Sequence, residues 1–360
     1  MNKVRDPRSK VQSYNRILIA RLDRIGDVVL STPVIRAVRE KFPNSYIAFM
    51  VRPYAYEVVA GNPMLDEVVV YDKKMGFLDN LKFIKFLRKK RFDIAIVLHP
   101  TSRTHLLAYF ARIPERLGFD RKCGFVLTKK IPHTKQFGLK HEIDYSLDIL
   151  RHIGIEPSSR SLCMPVSPYS ESRTEKIFEE RGLKISDTIV ALNPGASCRS
   201  KRWPAENFAM VADKLAQKYG AKIVLVSGKE DREAAIKTAS LMKSKPVDLS
   251  GSTTISELAS VLKRSKLFIS NDSGPVHIAC AVGTPVIAIF GRSDRGLSPH
   301  RWGPSNKADI AIHKDVGCMA CLAHNCRLGF KCLEAVRADD VLEAAYRALS
   351  RSGMARGIKL

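Results

Sequence analysis

Residues 267–291, LFISNDSGPVHIACAVGTPVIAIFG, constrain the fold more than any other part of the chain. An apolar run at 267–270 ends in Asn-Asp-Ser-Gly-Pro, a stretch of small residues follows, and a second apolar run at 286–290 ends in glycine. The pattern reads strand, tight turn, helix, strand, which is one unit of a parallel sheet. In open α/β sheets, ligands bind where strand-end loops and helix amino termini converge, at the carboxyl ends of the strands. Asp272, Ser273 and Gly274 stand at such an end, beside helix N–H groups that lack intrahelical partners and suit a phosphate oxygen. The tract therefore points to a phosphate-bearing ligand, a nucleotide.

The same alternation runs along the whole chain. Strands are expected at 17–20, 46–51, 67–71 and 93–98, and again at 189–192, 222–226, 247–249, 267–270 and 286–290. Helices are expected over roughly 31–42 (capped by Ser31 or Thr32, or else starting near Asp27 and kinked at Pro33), 78–90, 141–153, 205–219, 255–263 and 338–349. The basic stretch RKCGFVLTKKIPHTK reads as irregular, and the segment 155–172, with three prolines, reads as a linker. Within 78–90, Leu78, Leu81, Ile84 and Leu87 recur at helical spacing, with Lys82, Lys85 and Lys89 on another face. At 360 residues the chain exceeds the usual single core. The expected architecture is two Rossmann-like, doubly wound α/β domains facing a cleft, residues 1–165 and 166–360.

The formal net charge is +24. Divided after residue 165, the chain carries +14 before (30 Lys and Arg against 16 Asp and Glu) and +10 after (30 against 20). Such an excess favours a polyanionic partner, an anionic membrane surface or an acidic substrate. Nucleic acid is not expected: no helix-turn-helix, RNP, KH or zinc-finger signature is present, and aromatic residues make up only 8%. No apolar run is long enough to cross a bilayer, and the start MNKVRDPRSK lacks the apolar centre of a signal peptide, so a cytoplasmic location is expected.

Four motifs can carry chemistry. RIGD, 24–27, follows the first strand; Asp27 fits either a helix N-cap or a carboxylate base at the cleft edge. Neighbouring helix N–H groups would lower its pKa and weaken it as a base. NPGASCRSKRWP, 193–204, follows the first strand of the second half, where Ser197 lies in a small-residue loop and Lys201 is placed to neutralise a diphosphate. The spacing is not that of a Walker loop, and neither half has GxGxxG after its first strand, which argues against a standard NAD site. SGKEDRE, 227–233, offers Asp231 to a ribose or base, or starts a solvated helix; His277 follows NDSGP and can reach the same phosphates. Last, Cys318, Cys321, Cys326 and Cys332 have the spacing C-x2-C-x4-C-x5-C, which suits zinc, an iron–sulfur centre or a redox-sensitive thiol loop.

Taken in order, RIGDVVLSTPVIRAVREKFP, FDIAIVLHPTSRTHLLA, NPGASCRSKRWPAENFAMVADKL and LSGSTTISELASVLKRSKLFISNDSGPVHIACAVGTPVIAIFG resemble the bacterial heptosyltransferases of glycosyltransferase family 9 over most of the chain. The KRWP wording and the cysteine cluster are more similar to the second heptosyltransferases than to the first. The resemblance implies a GT-B architecture and inverting transfer of heptose from an ADP-sugar donor, with no cofactor required; the alternative is a GT-B transferase or epimerase using another nucleotide sugar. The implied acceptor is an anionic glycolipid of the Kdo–lipid A type at the inner leaflet of the cytoplasmic membrane, with the protein peripherally attached. It assigns Asp27 and Lys201 catalytic roles and places Ser197, Asp231, Asp272, Ser273, Gly274 and His277 at the donor.

Overall fold

The computed structural model describes residues 13–318 and 320–351; the amino-terminal arm expected to be loose lies outside them. Two six-stranded sheets carry the structure. The first comprises β1 (Arg16–Ala20), β2 (Tyr46–Val51), β3 (Glu67–Val70), β4 (Ile94–Val97), β5 (Glu115–Asp120) and β6 (Lys129–Pro132). The second comprises β7 (Ile189–Asn193), β8 (Lys222–Leu225), β9 (Val247–Asp248), β10 (Leu267–Asn271), β11 (Val286–Phe290) and β12 (Ile310–His313). Their orders are β3-β2-β1-β4-β5-β6 and β12-β11-β10-β7-β8-β9, which is the same doubly wound order met from opposite ends. All strand pairs are parallel, β1 setting Ile17 beside both Ile47 and Ile94.

Parallel strands covered on both faces must be apolar at every position, and the central strands are. Side chains alternate between faces. Ile17 and Ile19 join Val34 and Val38 of the Thr32–Lys41 helix on one side, while Leu18 and Ala20 join Phe83, Leu87 and Leu107 on the other. In the second sheet, Ala191 and Phe268 meet Leu258 and Val261, while Leu192 and Ile269 meet Phe208, Leu215 and Leu342. The first of these clusters runs without a break from one sheet into the other.

Nine strands appear where expected; β5, β6 and β12 are additional. β6 and β12 are edge strands, paired on one side only, so their residues alternate in burial or remain half-exposed rather than forming apolar runs. The expected helix at 31–42 is preceded by a separate short helix, Ile25–Val29. The segment read as a linker ends early, because the Pro168–Glu180 helix starts there with Ser167 as its N-cap. The Phe77–Lys89 helix departs from its expected facing: Phe83 and Leu87 are buried, whereas Leu78 and Leu81 are exposed.

The doubly wound order has a mechanical consequence. Strand order reverses between β1 and β4 in one sheet and between β7 and β10 in the other, which opens a crevice beyond the strand ends at each place. The residues that leave those four strands are Arg21–Asp27, Leu98–His99, Pro194–Ser197 and Asp272–Gly274.

Candidate active site

Asp27 is the third residue of the Ile25–Val29 helix, whose N-cap is Arg24, so it is not itself the cap. Its carboxylate receives a hydrogen bond from Arg21 Nη2 at 2.8 Å and is 13% exposed. Arg21 is buried and also binds Asp23 through Nε, at 2.7 Å, and Glu142 through Nη2, at 3.1 Å. Glu142 in turn holds Lys135 at 2.6 Å and Arg301 at 2.8 Å. Three cations thus face three carboxylates, and Arg301 reaches in from beyond the second sheet.

This network sets the charge state of Asp27. Burial, followed by the neighbouring Asp23 carboxylate, outweighs the pull of Arg21 and pushes its pKa up to about 6. The lowering expected from the helix amino terminus is therefore overturned: the helix has only five residues, and desolvation dominates. A carboxylate with a pKa near the working pH is suited to accepting a proton. Glu142 is held well below the usual carboxylate range despite its burial, by Lys135, Arg21 and Arg301, and stays charged. His99, from the end of β4, stands 3.4 Å from Asp23 and is lowered to about 3 by burial and then Arg21, so it is neutral.

The second crevice is built from the ends of β7, β10 and β11. Asn193 and Asn271 brace its loops: Asn193 Oδ1 accepts from Gly195 N (3.1 Å) and its Nδ2 donates to Ser273 Oγ (3.0 Å). Asn271 accepts from Trp203 N (3.0 Å) and donates to Pro194 O (2.8 Å). Asp272 is buried between Lys201 Nζ at 3.1 Å and Arg292 Nη2 at 2.6 Å, two cations against one carboxylate. Arg292 Nε and His277 Nδ1 are buried and have no partner there. His277 is lowered to about 3, mainly by burial, and is neutral. An excess cation beside unpartnered buried ring and guanidinium nitrogens is the chemistry of an anion site.

Ser273 and Gly274 lie at the cap and first residue of the Gly274–Ala281 helix. Asp231 packs against the same cradle: a Cβ on Gly195 would stand 2.7 Å from Asp231 Cβ, and Asp231 pairs with Arg202 at 3.1 Å. Ser197 is exposed on this loop. All the residues expected at the donor thus gather around one crevice, although Asp272 is engaged by Lys201 and Arg292 rather than free.

The two crevices face each other at Gly26. A Cβ there would stand 2.8 Å from His277 Cδ2 and 3.2 Å from Gly274 Cα, so only glycine permits this approach. Asp27 is therefore held beside the anion site but on the opposite half of the chain.

The zinc or iron–sulfur centre expected at Cys318, Cys321, Cys326 and Cys332 is not supported. The four line one cavity of about 250 Å³, yet among the described residues no three His, Cys, Asp or Glu side chains converge as metal ligands. The thiols are engaged separately: Cys332 donates to Gly291 O, and backbone amides around Ser293 and Ala323 hold the Cys321 thiol below its usual range despite its burial. Burial, with Cys326, Cys321 and Cys318 adding to it, raises the Cys332 thiol, so the four share one cavity without forming a ligand set.

Arg21, Asp23, His99, Lys135, Glu142, Arg292 and Arg301 escaped sequence reasoning. Arg292 had a signal, since it follows the apolar run 286–290 at a strand end. Arg21 stands just before the RIGD motif, at the end of β1, but nothing in its local spacing reports the distant carboxylate it holds.

Against known proteins, the model of glycosyltransferase family 9 (heptosyltransferase) matches residues 80–331, most of the chain. The chain belongs to this family. It is a glycosyltransferase of GT-B architecture. A family 9 glycosyltransferase from Veillonella parvula superposes with a TM-score of 0.85 at 28% identity, over 94% of this chain and 98% of that one. Lipopolysaccharide heptosyltransferase 3 of Escherichia coli (strain K12) is 27% identical over 90% of this chain and 95% of its own length. The E. coli ADP-heptose lps heptosyltransferase II shares the fold, with a TM-score of 0.78 at 22% identity, over 94% of this chain and 99% of that one.

Proposed function

We propose that this family 9 enzyme transfers heptose from an ADP-heptose donor to the inner core of lipopolysaccharide, with inversion. Residues 1–165 take the acceptor and residues 166–360 the donor. The observation that carries the reading is Asp27, facing the Lys201–Arg292 anion site across the Gly26–Gly274 contact. Attack opposite the leaving group requires a base across the sugar from the diphosphate.

The acceptor hydroxyl forms the new bond to the anomeric carbon as its proton passes to Asp27. The bond from that carbon to the diphosphate oxygen breaks, and ADP leaves with the electron pair. Lys201 and Arg292 meet the charge that grows on the departing diphosphate, with Asp272 holding both in place. Arg21 orients Asp27, while Glu142 balances Arg21. Asp231 and Ser197 sit where the nucleoside end of the donor would lie, and Ser273, Gly274 and His277 face its phosphates.

The acceptor on this reading is an anionic, lipid-linked saccharide of the Kdo–lipid A type, met at the cytoplasmic face of the inner membrane by a peripherally attached protein. Among the described residues no helix is long and apolar enough to cross a membrane. The test is a transfer assay with ADP-heptose, UDP-, GDP- and CMP-sugars on Kdo–lipid A and on heptosylated core acceptors. Turnover with ADP-heptose alone is expected. Turnover with a UDP-sugar, or epimerisation without an acceptor, would overturn the assignment of donor and reaction.

A further inference from the structure

The Phe77–Lys89 helix turns apolar side chains away from the protein. Its inward face is narrow: Phe83 and Leu87 are buried, and Asn80 accepts from Tyr71 Oη at 2.7 Å. Phe77 is 77% exposed, Leu78 69% and Leu81 47%. An amphipathic helix on a soluble protein normally carries polar residues at such positions. Towards the carboxyl end the exposed residues become Lys82, Lys85, Phe86, Arg88 and Lys89, with Lys82 reaching back to the exposed Asp79 at 3.1 Å. The outer surface is thus an apolar tip followed by a cationic shaft.

Topology fixes where that tip lies. The helix follows β3, so its first turn stands at the carboxyl edge of the first sheet, the edge that also holds Asp27. Phe125, 74% exposed, follows β5 at the same edge. Cations fill the space between. Lys73 is held below its ordinary pKa by burial and then by the nearby Arg52, Arg103 and Lys122, Asp23 working against them. Arg103 donates to Lys73 O at 2.7 Å and Arg52 to Tyr54 Oη at 3.1 Å, so these hydrogen bonds leave their charge unmatched.

We propose that this rim, with Phe77, Leu78, Leu81 and Phe125 set among lysines and arginines, docks on the surface of an anionic lipid bilayer. Apolar tips entering the acyl boundary while cationic side chains reach back to headgroup phosphates is the known physics of interfacial helices. The cationic surround matches the negative potential of an anionic leaflet. Nucleic acid would be met by the cations but gives protruding leucines nothing to enter. Docking at this edge turns the Asp27 crevice towards the headgroups. The proposal deepens the proposed function, which has the protein peripherally attached, by naming the surface that makes the attachment.

Flotation with large unilamellar vesicles tests the proposal. The full-length protein is expected to float with phosphatidylcholine vesicles containing phosphatidylglycerol, to float poorly with pure phosphatidylcholine, and to be released as salt shortens the Debye length below about 10 Å. Leu78→Ser/Leu81→Ser and Phe125→Ser should reduce flotation about tenfold or more, with melting temperature and ADP binding unchanged. Lys82→Glu/Lys85→Glu should abolish the preference for anionic vesicles. A wild type that stays in solution with anionic vesicles at low salt, or serine variants that float like wild type, overturns docking. A stable dimer that the serine variants dissociate would reassign the face to a second copy and equally overturn it. A wild type that fails to bind anionic vesicles yet transfers to a delipidated acceptor refutes docking alone. Intact vesicle binding without ADP-heptose transfer refutes the proposed function alone.

Discussion

Replacing Glu142 by Gln removes one negative charge from a buried cluster that holds three positive ones. Lys135, Arg301 and Arg21 stand 2.6, 2.8 and 3.1 Å from its oxygens. At an effective dielectric of about 20, each unit pair at about 4 Å is worth about 4 kcal/mol, or about 12 kcal/mol gross for the three. Keeping a buried carboxylate dehydrated offsets most of that, and breaking such a pair from one side usually costs about 3–5 kcal/mol. The expected loss on guanidinium unfolding at pH 7 is therefore about 3–5 kcal/mol. The folded pKa of Glu142 lies below its ordinary value of 4.5, so its contribution is full above that value and declines as pH falls below it. The gap between wild type and Glu142→Gln should accordingly narrow in acid. Because Glu142 also raises the pKa of Asp27, the variant's acid limb of activity should move to lower pH. A loss under about 1 kcal/mol would refute the reasoning: the cations would then find water, and the network would brace nothing.

Three further outcomes follow from the same geometry. Wild-type kcat/KM should rise with pH through about 6 as Asp27 deprotonates, and Asp23→Asn should shift that limb downward, since Asp23 is the main charge raising it; a flat profile between pH 5 and 7 would contradict this assignment. Gly26→Ala should leave unfolding free energy within about 1 kcal/mol yet slow transfer about 10²-fold, because its methyl meets His277 at 2.8 Å and displaces the base from the donor; unaltered turnover would show that the halves do not react in this juxtaposition. Arg292→Met should weaken ADP binding by about tenfold to a hundredfold in calorimetry, the worth of a charge-assisted hydrogen bond; unchanged affinity would remove Arg292 from the anion site.

What was legible in the sequence was local. β1, β4, β7 and β10 are buried on both faces, and a buried parallel strand announces itself as an apolar run. The strand ends that follow them carry the candidate site, so Asp27, Lys201 and the Asp272–Gly274 turn were within reach of pattern reading. β6 and β12 were not, because an edge strand can be as polar as KKIP and still pair. The Arg21 network was hidden for a different reason: Arg21 and Glu142 are separated by 121 residues, and Arg301 by a further 159. No local spacing reports a contact that tertiary packing alone creates. The cysteines do gather at one cavity as their spacing suggests, yet among the described residues they form no set of metal ligands.

The central claim is that Asp27 is the base and stands apart from the donor site. Its most direct test is Asp27→Asn, assayed for single-turnover sugar transfer and for ADP affinity on the same folded preparation. Transfer is predicted to fall by about two to four orders of magnitude with ADP affinity unchanged, the usual contribution of a positioned general base. Transfer at the wild-type rate per folded molecule would contradict the account and place the base elsewhere.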